Sequence, residues 1–327
     1  MKSSWMIGCF FLFGLVWGAR GYALDCLDLR IFPLFQKGQI ALEGMVVKGK
    51  PTKGVGRRNR IVSFFTGEAA SLSIEIRINQ ASMSVRLDEK GTFNATYPEL
   101  LASGIVELYD PAVQKVFARR DFAFPASAPF LMVSDIDDTV MISDVTHKVR
   151  LVLKTIFRSV KGRKPVPGTP GLYADLMEKH GYGTGQPLLL FLSSSPSTLA
   201  RFLEAFLKEH AFPGGILCLK RSLTAEGFKS NDHKHSWLKK LAEMYPGLPM
   251  LLLGDSGESD PEIYTEFLEK KIASAPGVII HQVDESEPPE RLQEIRLRLK
   301  RLGVPFFIWT DAAKLRQELR ENRLLKE

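Results

Sequence analysis

Five short apolar runs in the C-terminal part of the chain constrain its fold more than any other feature of the sequence. Each run has consecutive apolar residues and no polar alternation; they are Phe130–Val133, Pro187–Leu192, Pro249–Leu253, Val278–Ile280 and Val304–Ile308. Strands of this kind are buried on both faces, as in parallel sheets. Segments with helical periodicity lie between or after the runs: Thr198–His210, His233–Met244, Pro261–Lys271, Pro289–Leu302 and Ala312–Asn322. The alternation predicts an α/β domain with a doubly wound, mostly parallel sheet.

The preceding residues, 24–127, have a different pattern. Ile40–Val47 and Gly104–Tyr109 are rich in β-forming residues, and Ser71–Ile78 alternates polar and apolar positions, which is typical of a half-buried strand. We therefore expect a small all-β domain, a sandwich or a meander, without a catalytic constellation of its own. Pro125–Pro129 is the predicted linker to the α/β domain, residues 128–327.

The first 23 residues have the features of a secretory signal peptide. Lys2 precedes an apolar run, Trp5–Trp17, and Gly21–Ala23 supplies small residues for cleavage after Ala23. An uncleaved anchor is the alternative, but the run is shorter than the roughly 20 residues of a membrane span. We expect an exported protein, periplasmic or at the cell surface, in which Cys26 and Cys218 either form a disulfide or remain unpaired.

A basic segment, Val145–Lys164, combines an apolar face with seven Lys or Arg residues and no acid. It predicts an amphipathic helix that either contacts an anionic membrane surface or packs on the core with a solvated basic face. The formal net charge of the chain, +7, also favours anionic partners. Phosphates and anionic lipid are the partners we expect, and nucleic acid is not.

Polar clusters follow three of the apolar runs. They are Asp135–Thr139, Ser193–Pro196 and Gly254–Asp260. Ligands of open α/β sheets bind outside the carboxyl ends of the strands, so the three clusters should converge on one crevice. An aspartate there can form a covalent phosphoryl intermediate, and crowded carboxylates suit Mg²⁺. Taken alone, Asp135–Asp138 could also be a calcium-binding loop or a turn.

These clusters resemble motifs of the haloacid-dehalogenase superfamily. Asp135–Thr139 is similar to its first motif, Ser193 to the second, and Gly254-Asp255 with Asp260 to the fourth. Across residues 129–285 the order of motifs is similar to the phosphatidate phosphatase catalytic domain of the actin-patch type. The further matching segments are Ser194–Pro196, Phe212–Gly214, His233-Lys234 and Ser256–Tyr264.

The resemblance implies a role for each matching residue. Asp135 is the expected nucleophile and metal ligand, and Asp137 the expected general acid and base with a backbone carbonyl on the metal. The other implied roles are support of the loop for Thr139, phosphate binding for Ser193, Ser194 and Lys234, and Mg²⁺ binding for Asp255 and Asp260. Lys220 and Lys229 lie near enough in sequence to be alternatives to Lys234.

The activity implied is Mg²⁺-dependent hydrolysis of phosphatidate to diacylglycerol and phosphate through an aspartyl-phosphate. Two alternatives remain open at this point. One is the same chemistry on a soluble phosphomonoester. The other is a non-enzymatic surface protein that binds its ligand through the β domain.

Overall fold

The computed structural model describes residues 23–49, 65–142, 162–221, 232–283 and 289–326. Ala23 is the first described residue, so the predicted signal segment otherwise lies outside this part of the chain. Lys229 and all but the last three residues of Val145–Lys164 are outside it as well. Among the described residues, no helix has the length and apolar character needed to cross a membrane.

The N-terminal region consists of antiparallel strands. They are β1 (Ala23–Leu34), β2 (Gln39–Gly49), β3 (Phe65–Glu68), β4 (Ser73–Ile78), β5 (Ala81–Arg86), β6 (Thr92–Tyr97), β7 (Ser103–Asp110) and β8 (Lys115–Ala123). In one sheet, β2 pairs with β1 on one side and with β3 and β6 on the other. The second sheet has the order β5-β4-β7-β8. The prediction of an all-β region is confirmed.

Buried apolar residues alternate with partly exposed residues along β4, and the buried residues of both sheets form a common core. Ile74, Ile76 and Ile78 of β4 are fully buried, while the residues between them are partly exposed. They share one apolar cluster with Leu42 of β2 and Leu108 of β7. Because both sheets contribute to this cluster, the region is a β-sandwich.

The C-terminal region is a parallel sheet with helices. Its strands are β9 (Leu131–Ser134), β10 (Leu188–Pro196), β11 (Ile216–Lys220), β12 (Met250–Asp255), β13 (Val278–His281) and β14 (Phe306–Trp309). The helices are α1 (Thr169–Glu178), α2 (Ala200–Glu209), α3 (Asp232–Met244), α4 (Asp260–Glu269), α5 (Pro289–Arg301) and α6 (Ala312–Glu321). The predicted α/β sheet is confirmed, and β11 adds a sixth strand that contains Cys218.

Burial on both faces explains the continuous apolar runs. Met132 of β9 faces one large apolar cluster, whereas its neighbours Leu131 and Val133 face another on the opposite side of the sheet. All three side chains are fully buried. A strand between two apolar layers needs an apolar residue at every position.

The strand order, β11-β10-β9-β12-β13-β14, places a switch point at the centre of the sheet. From β9 the chain adds β10 and β11 on one side, and it then returns to add β12, β13 and β14 on the other. The crevice at such a point, outside the carboxyl ends of β9 and β12, is where open α/β sheets bind ligands.

The sandwich packs directly against the α/β region. Phe32 of β1 is completely buried in the apolar cluster of the parallel sheet, and its ring lies 6.0 Å from that of Trp237 in α3. Cys26 and Cys218 are both buried, and both are free cysteines.

Candidate active site

The loop after β9 begins as an extension of the strand. The amide of Asp135 donates to the carbonyl of Leu253 in β12, at 2.9 Å. The chain then turns, and Asp138 has a φ of 53°, a left-handed value that is uncommon outside glycine. The imidazole of His281 lies 2.6 Å from the carbonyl of Asp138. The loop is thus held by both β12 and β13.

Three buried carboxylates converge at the crevice between β9 and β12. One oxygen from each of Asp135, Asp255 and Asp260 lies within 4.8 Å of the others. All three side chains are at most 1% exposed. Oδ2 of Asp135 and Oδ2 of Asp255 are buried and have no hydrogen-bond partner among the described residues. Carboxylates this close repel one another unless protons or a cation intervene.

Gly254 permits the close approach of Asp260. A Cβ atom at position 254 would lie 2.5 Å from Oδ2 of Asp260 and 2.7 Å from its Cβ. Any larger residue would therefore displace Asp260 and the start of α4, so the glycine keeps the third carboxylate within the cluster.

Lys234 is the cation that the structure places in this cluster. Its amino group lies 2.8 Å from Oδ1 of Asp135 and 3.1 Å from Oε2 of Glu258, and it also donates to Oδ1 of Asp260. The side chain is 3% exposed. Burial alone would lower its pKa, but Asp135 and Asp260 hold the pKa of Lys234 well above its usual value. The amine is therefore charged.

The loop after β12 fixes Asp255. The amides of Gly257 and Glu258 donate to Oδ1 of Asp255, at 2.7 and 3.0 Å. Arg291 of α5 braces the same loop, because its guanidinium donates to the carbonyls of Ser256 and Glu258. Oδ1 therefore accepts hydrogen bonds from the loop, whereas Oδ2 is buried without a hydrogen-bond partner in the described part of the chain.

Serine hydroxyls at the end of β10 hold Asp137. Ser193 and Ser195 both donate to Oδ2 of Asp137, at 3.3 and 3.2 Å. The amide of Ser195 in turn donates to Oγ of Ser193, at 3.0 Å. The side chain of Ser194, which lies between them in sequence, is exposed. In an extended segment, side chains two residues apart lie on the same side. This spacing is the sequence signal that could have indicated Ser195 together with Ser193.

Burial gives these acids unusual proton affinities. Burial, assisted by the neighbouring Asp260, Glu258 and Asp255, raises the pKa of Asp135 well above its usual range, against the opposing effect of Lys234. Burial, assisted by Asp260 and Glu258, raises the pKa of Asp255 to about 8. Burial also raises the pKa of Asp137, although its two serine hydrogen bonds oppose that shift.

Most of the predicted residues therefore lie together. Asp135, Asp255, Asp260 and Lys234 form the cluster described above, and Ser193 and Asp137 form the adjoining contact. Thr139 is buried near them, and its hydroxyl has no hydrogen-bond partner in the described part of the chain. Sequence reasoning missed Ser195 and Glu258.

The carboxylate cluster suits a hard divalent cation. Its ligand atoms are carboxylate oxygens, and the cluster contains two buried oxygens that have no hydrogen-bond partner among the described residues. Mg²⁺ and Ca²⁺ prefer such ligands. The residues that would hold the ion are Asp135, Asp255 and Asp260.

One comparison with known proteins finds a family match over the residues that form this site. Residues 130–282 match the family described as phosphatidate phosphatase APP1, catalytic domain. No curated protein matches the chain.

Solved structures show only weak likeness. A carbohydrate acetylesterase from Xanthomonas citri has 8% identity and a TM-score of 0.29, over 83% of this chain and 64% of the other. A beta-glucuronidase from Bacteroides uniformis has 9% identity and a TM-score of 0.23, over 88% of this chain and 39% of the other. This chain thus spans less than two thirds of either protein, and TM-scores this low support no conclusion.

The family match covers the strand ends and the helix starts that carry the carboxylates, the serines and the lysine. Residues 130–282 are therefore similar to the catalytic domain of the phosphatidate phosphatase APP1 family, and this match identifies the chain as a phosphatase.

Proposed function

We propose that this chain is a Mg²⁺-dependent phosphatase of the haloacid-dehalogenase type that hydrolyses phosphatidate to diacylglycerol and phosphate. The observation that carries the proposal is the buried cluster of Asp135, Asp255 and Asp260 around Lys234, at the switch point of the parallel sheet. It lies inside the segment that matches the phosphatidate phosphatase family.

Asp135 is the nucleophile in this proposal. Lys234 holds its Oδ1, and the cluster keeps the side chain in place at the end of β9. A carboxylate oxygen of Asp135 attacks phosphorus, the bond between phosphorus and the glycerol oxygen breaks, and an aspartyl-phosphate forms. Splitting the transfer in this way replaces one difficult step by two easier ones.

Asp137 is the proposed general acid and then the general base. Its raised pKa favours the protonated form needed to give a proton to the departing glycerol oxygen. In the second step Asp137 accepts a proton from water. The water oxygen attacks phosphorus, the bond to Asp135 breaks, and inorganic phosphate leaves.

Asp135, Asp255 and Asp260 are the proposed Mg²⁺ ligands, together with the backbone carbonyl of Asp137. A bound Mg²⁺ would neutralise negative charge on the phosphoryl oxygens and polarise the group. Lys234 would contribute a second positive charge next to Asp135. Ser193 and Ser194 are proposed to bind phosphate oxygens, and Thr139 to support the loop.

The family match supports the choice of a lipid substrate. The sequence supports the proposed location of the protein. We propose that residues 1–23 direct export to the periplasm or cell surface, and that the basic segment 145–164 contacts an anionic membrane surface. The proposed division is a β domain, 24–127, followed by a phosphatase domain, 128–327.

The first test is phosphate release from phosphatidate in mixed micelles, with Mg²⁺ and with chelator, for the wild type and Asp135→Asn. Chelator-sensitive release that the substitution abolishes is the expected result. A parallel panel of soluble phosphomonoesters tests the substrate class. Hydrolysis of the soluble esters alone would transfer the proposal to a soluble substrate, and no hydrolysis of either would refute it.

A further inference from the structure

Two buried charges lie at the junction between the sandwich and the α/β region. Asp28 and Arg30, both in β1, are 3% and 2% exposed. Nε of Arg30 donates to Oδ1 of Asp28 at 2.9 Å. Burying an ion pair costs desolvation energy that the attraction offsets only in part, so stability alone is a weak reason for it.

Both side chains reach across the junction to strand ends of the catalytic sheet. Oδ2 of Asp28 accepts a hydrogen bond from Oγ of Ser197, at 3.0 Å. Nη2 of Arg30 donates to the carbonyl of Leu219 in β11, at 2.6 Å. The guanidinium also lies 4.8 Å from the ring centre of Trp237, which follows Lys234 by one turn of α3.

Ser197 ends the segment that holds Asp137. This serine segment, residues 193–197, contains the hydroxyls of Ser193 and Ser195 that bond to Asp137. The regular pairing of β10 with β11 stops at Leu192 and resumes only at Pro196, which pairs with Lys220. Between those points the ladder is irregular, so side-chain contacts must help to fix the serine segment.

We propose that Asp28 and Arg30 are positioning residues through which the β-sandwich holds the serine segment, and hence Asp137, in place for catalysis. The inference rests on the proposed function, and it gives the sandwich a role in it. Asp28 acts through Ser197, and Arg30 orients Asp28 while it fixes the end of β11. A displacement of about 1 Å in a catalytic group can lower a rate by about 100-fold.

The test uses Ser197→Ala, Asp28→Asn and their double variant in the full chain. Arg201→Gln is the matched control, because Arg201 of α2 also makes an ion pair across the junction, with Asp25, but touches neither strand end. The first readout is kcat and KM for phosphatidate with Mg²⁺. The second is hydrogen exchange of the peptides that cover residues 193–197, which needs no turnover.

We expect each single variant to lower kcat by about tenfold or more, with KM changed less than about threefold. The double variant should lose no more than the worse single one, because both substitutions break the same contact. Exchange in the serine segment should accelerate in all three. Arg201→Gln should match the wild type in kcat and in exchange.

A Ser197→Ala variant that keeps kcat within about twofold and exchanges at the wild-type rate would overturn the inference. So would additive losses in the double variant. A wild type that hydrolyses no phosphate ester would refute the proposed function instead. The exchange measurement would then still support or reject the anchoring of the serine segment.

Discussion

The amino group of Lys234 lies 2.8 Å from Oδ1 of Asp135, and both side chains are at most 3% exposed. The same amino group contacts Asp260 and Glu258. One buried cation is thus shared by several acids, while Asp255 completes the cluster. A divalent cation would neutralise the negative charge of these acids that Lys234 leaves uncompensated.

Replacement of Lys234 should therefore impair catalysis. We expect Lys234→Met to lower kcat by about 10²–10³-fold, as the loss of a preorganised electrostatic contact does in other enzymes. The measurement is steady-state phosphate release with Mg²⁺. Lys239→Met is the control, because Lys239 lies on the same helix but is 68% exposed. Equal activity in the two variants would contradict a catalytic role for Lys234.

The stability of the metal-free protein should fall as the pH rises. The pKa of Asp255 in the folded chain is raised from 3.8 to about 8. Between those values the folded state binds more protons than the unfolded state, so the free energy of unfolding decreases with pH. Because Mg²⁺ replaces these protons, its effect on Tm should be small near about pH 5 and large near about pH 8.

Thermal unfolding in chelator and in Mg²⁺ at both pH values measures this effect. Asp255→Asn provides the control, since it removes one of the carboxyl groups with a raised pKa and should weaken the pH dependence in chelator. A metal-free Tm that rises between the two pH values would contradict the expectation.

Gly254→Ala should disturb the cluster at one defined point. The added Cβ would lie 2.5 Å from Oδ2 of Asp260, and an overpacked site of this kind costs about 1–3 kcal/mol. We expect weaker Mg²⁺ binding by calorimetry and a lower free energy of unfolding in urea. Gly214→Ala should change neither, because nothing lies within 4 Å of a Cβ there.

Arg30→Ala should be among the more destabilising single substitutions. It leaves the buried carboxylate of Asp28 without its main partner, and breaking a buried ion pair costs about 3–5 kcal/mol. Arg201→Ala removes a pair whose arginine is 54% exposed, and should cost less than about 1 kcal/mol. Urea unfolding of both variants tests the difference, and similar costs would show that Arg30 is not a critical buried partner.

Most of the fold could be predicted from local sequence patterns. The apolar runs of the C-terminal part are continuous because both faces of each strand are covered, and that periodicity is visible without any structure. The alternation in Ser71–Ile78 likewise predicted a half-buried strand, which is observed as β4, Ser73–Ile78. The edge strand β11, Ile216–Lys220, was not among the five predicted runs, although it is one residue longer than β13.

The sequence also indicated which acids would meet, because Asp135 and Asp255 each end or follow a buried strand at the same edge of a parallel sheet. The family resemblance favoured Lys234, but the residues alone did not exclude Lys220 or Lys229. The choice depends on the direction in which α3 presents each side chain, and only the packing of the helix decides it.

The sequence by itself determined most of the order of strands and helices, and it placed Asp135, Ser193 and Asp255 at the ends of strands, because both depend on local periodicity and motif spacing. Tertiary structure decided that Ser195 bonds to Asp137 where Ser194 does not. It alone placed Asp28, about 170 residues away in sequence, against Ser197. Such contacts depend on how two separately patterned regions pack, and no local pattern encodes that geometry.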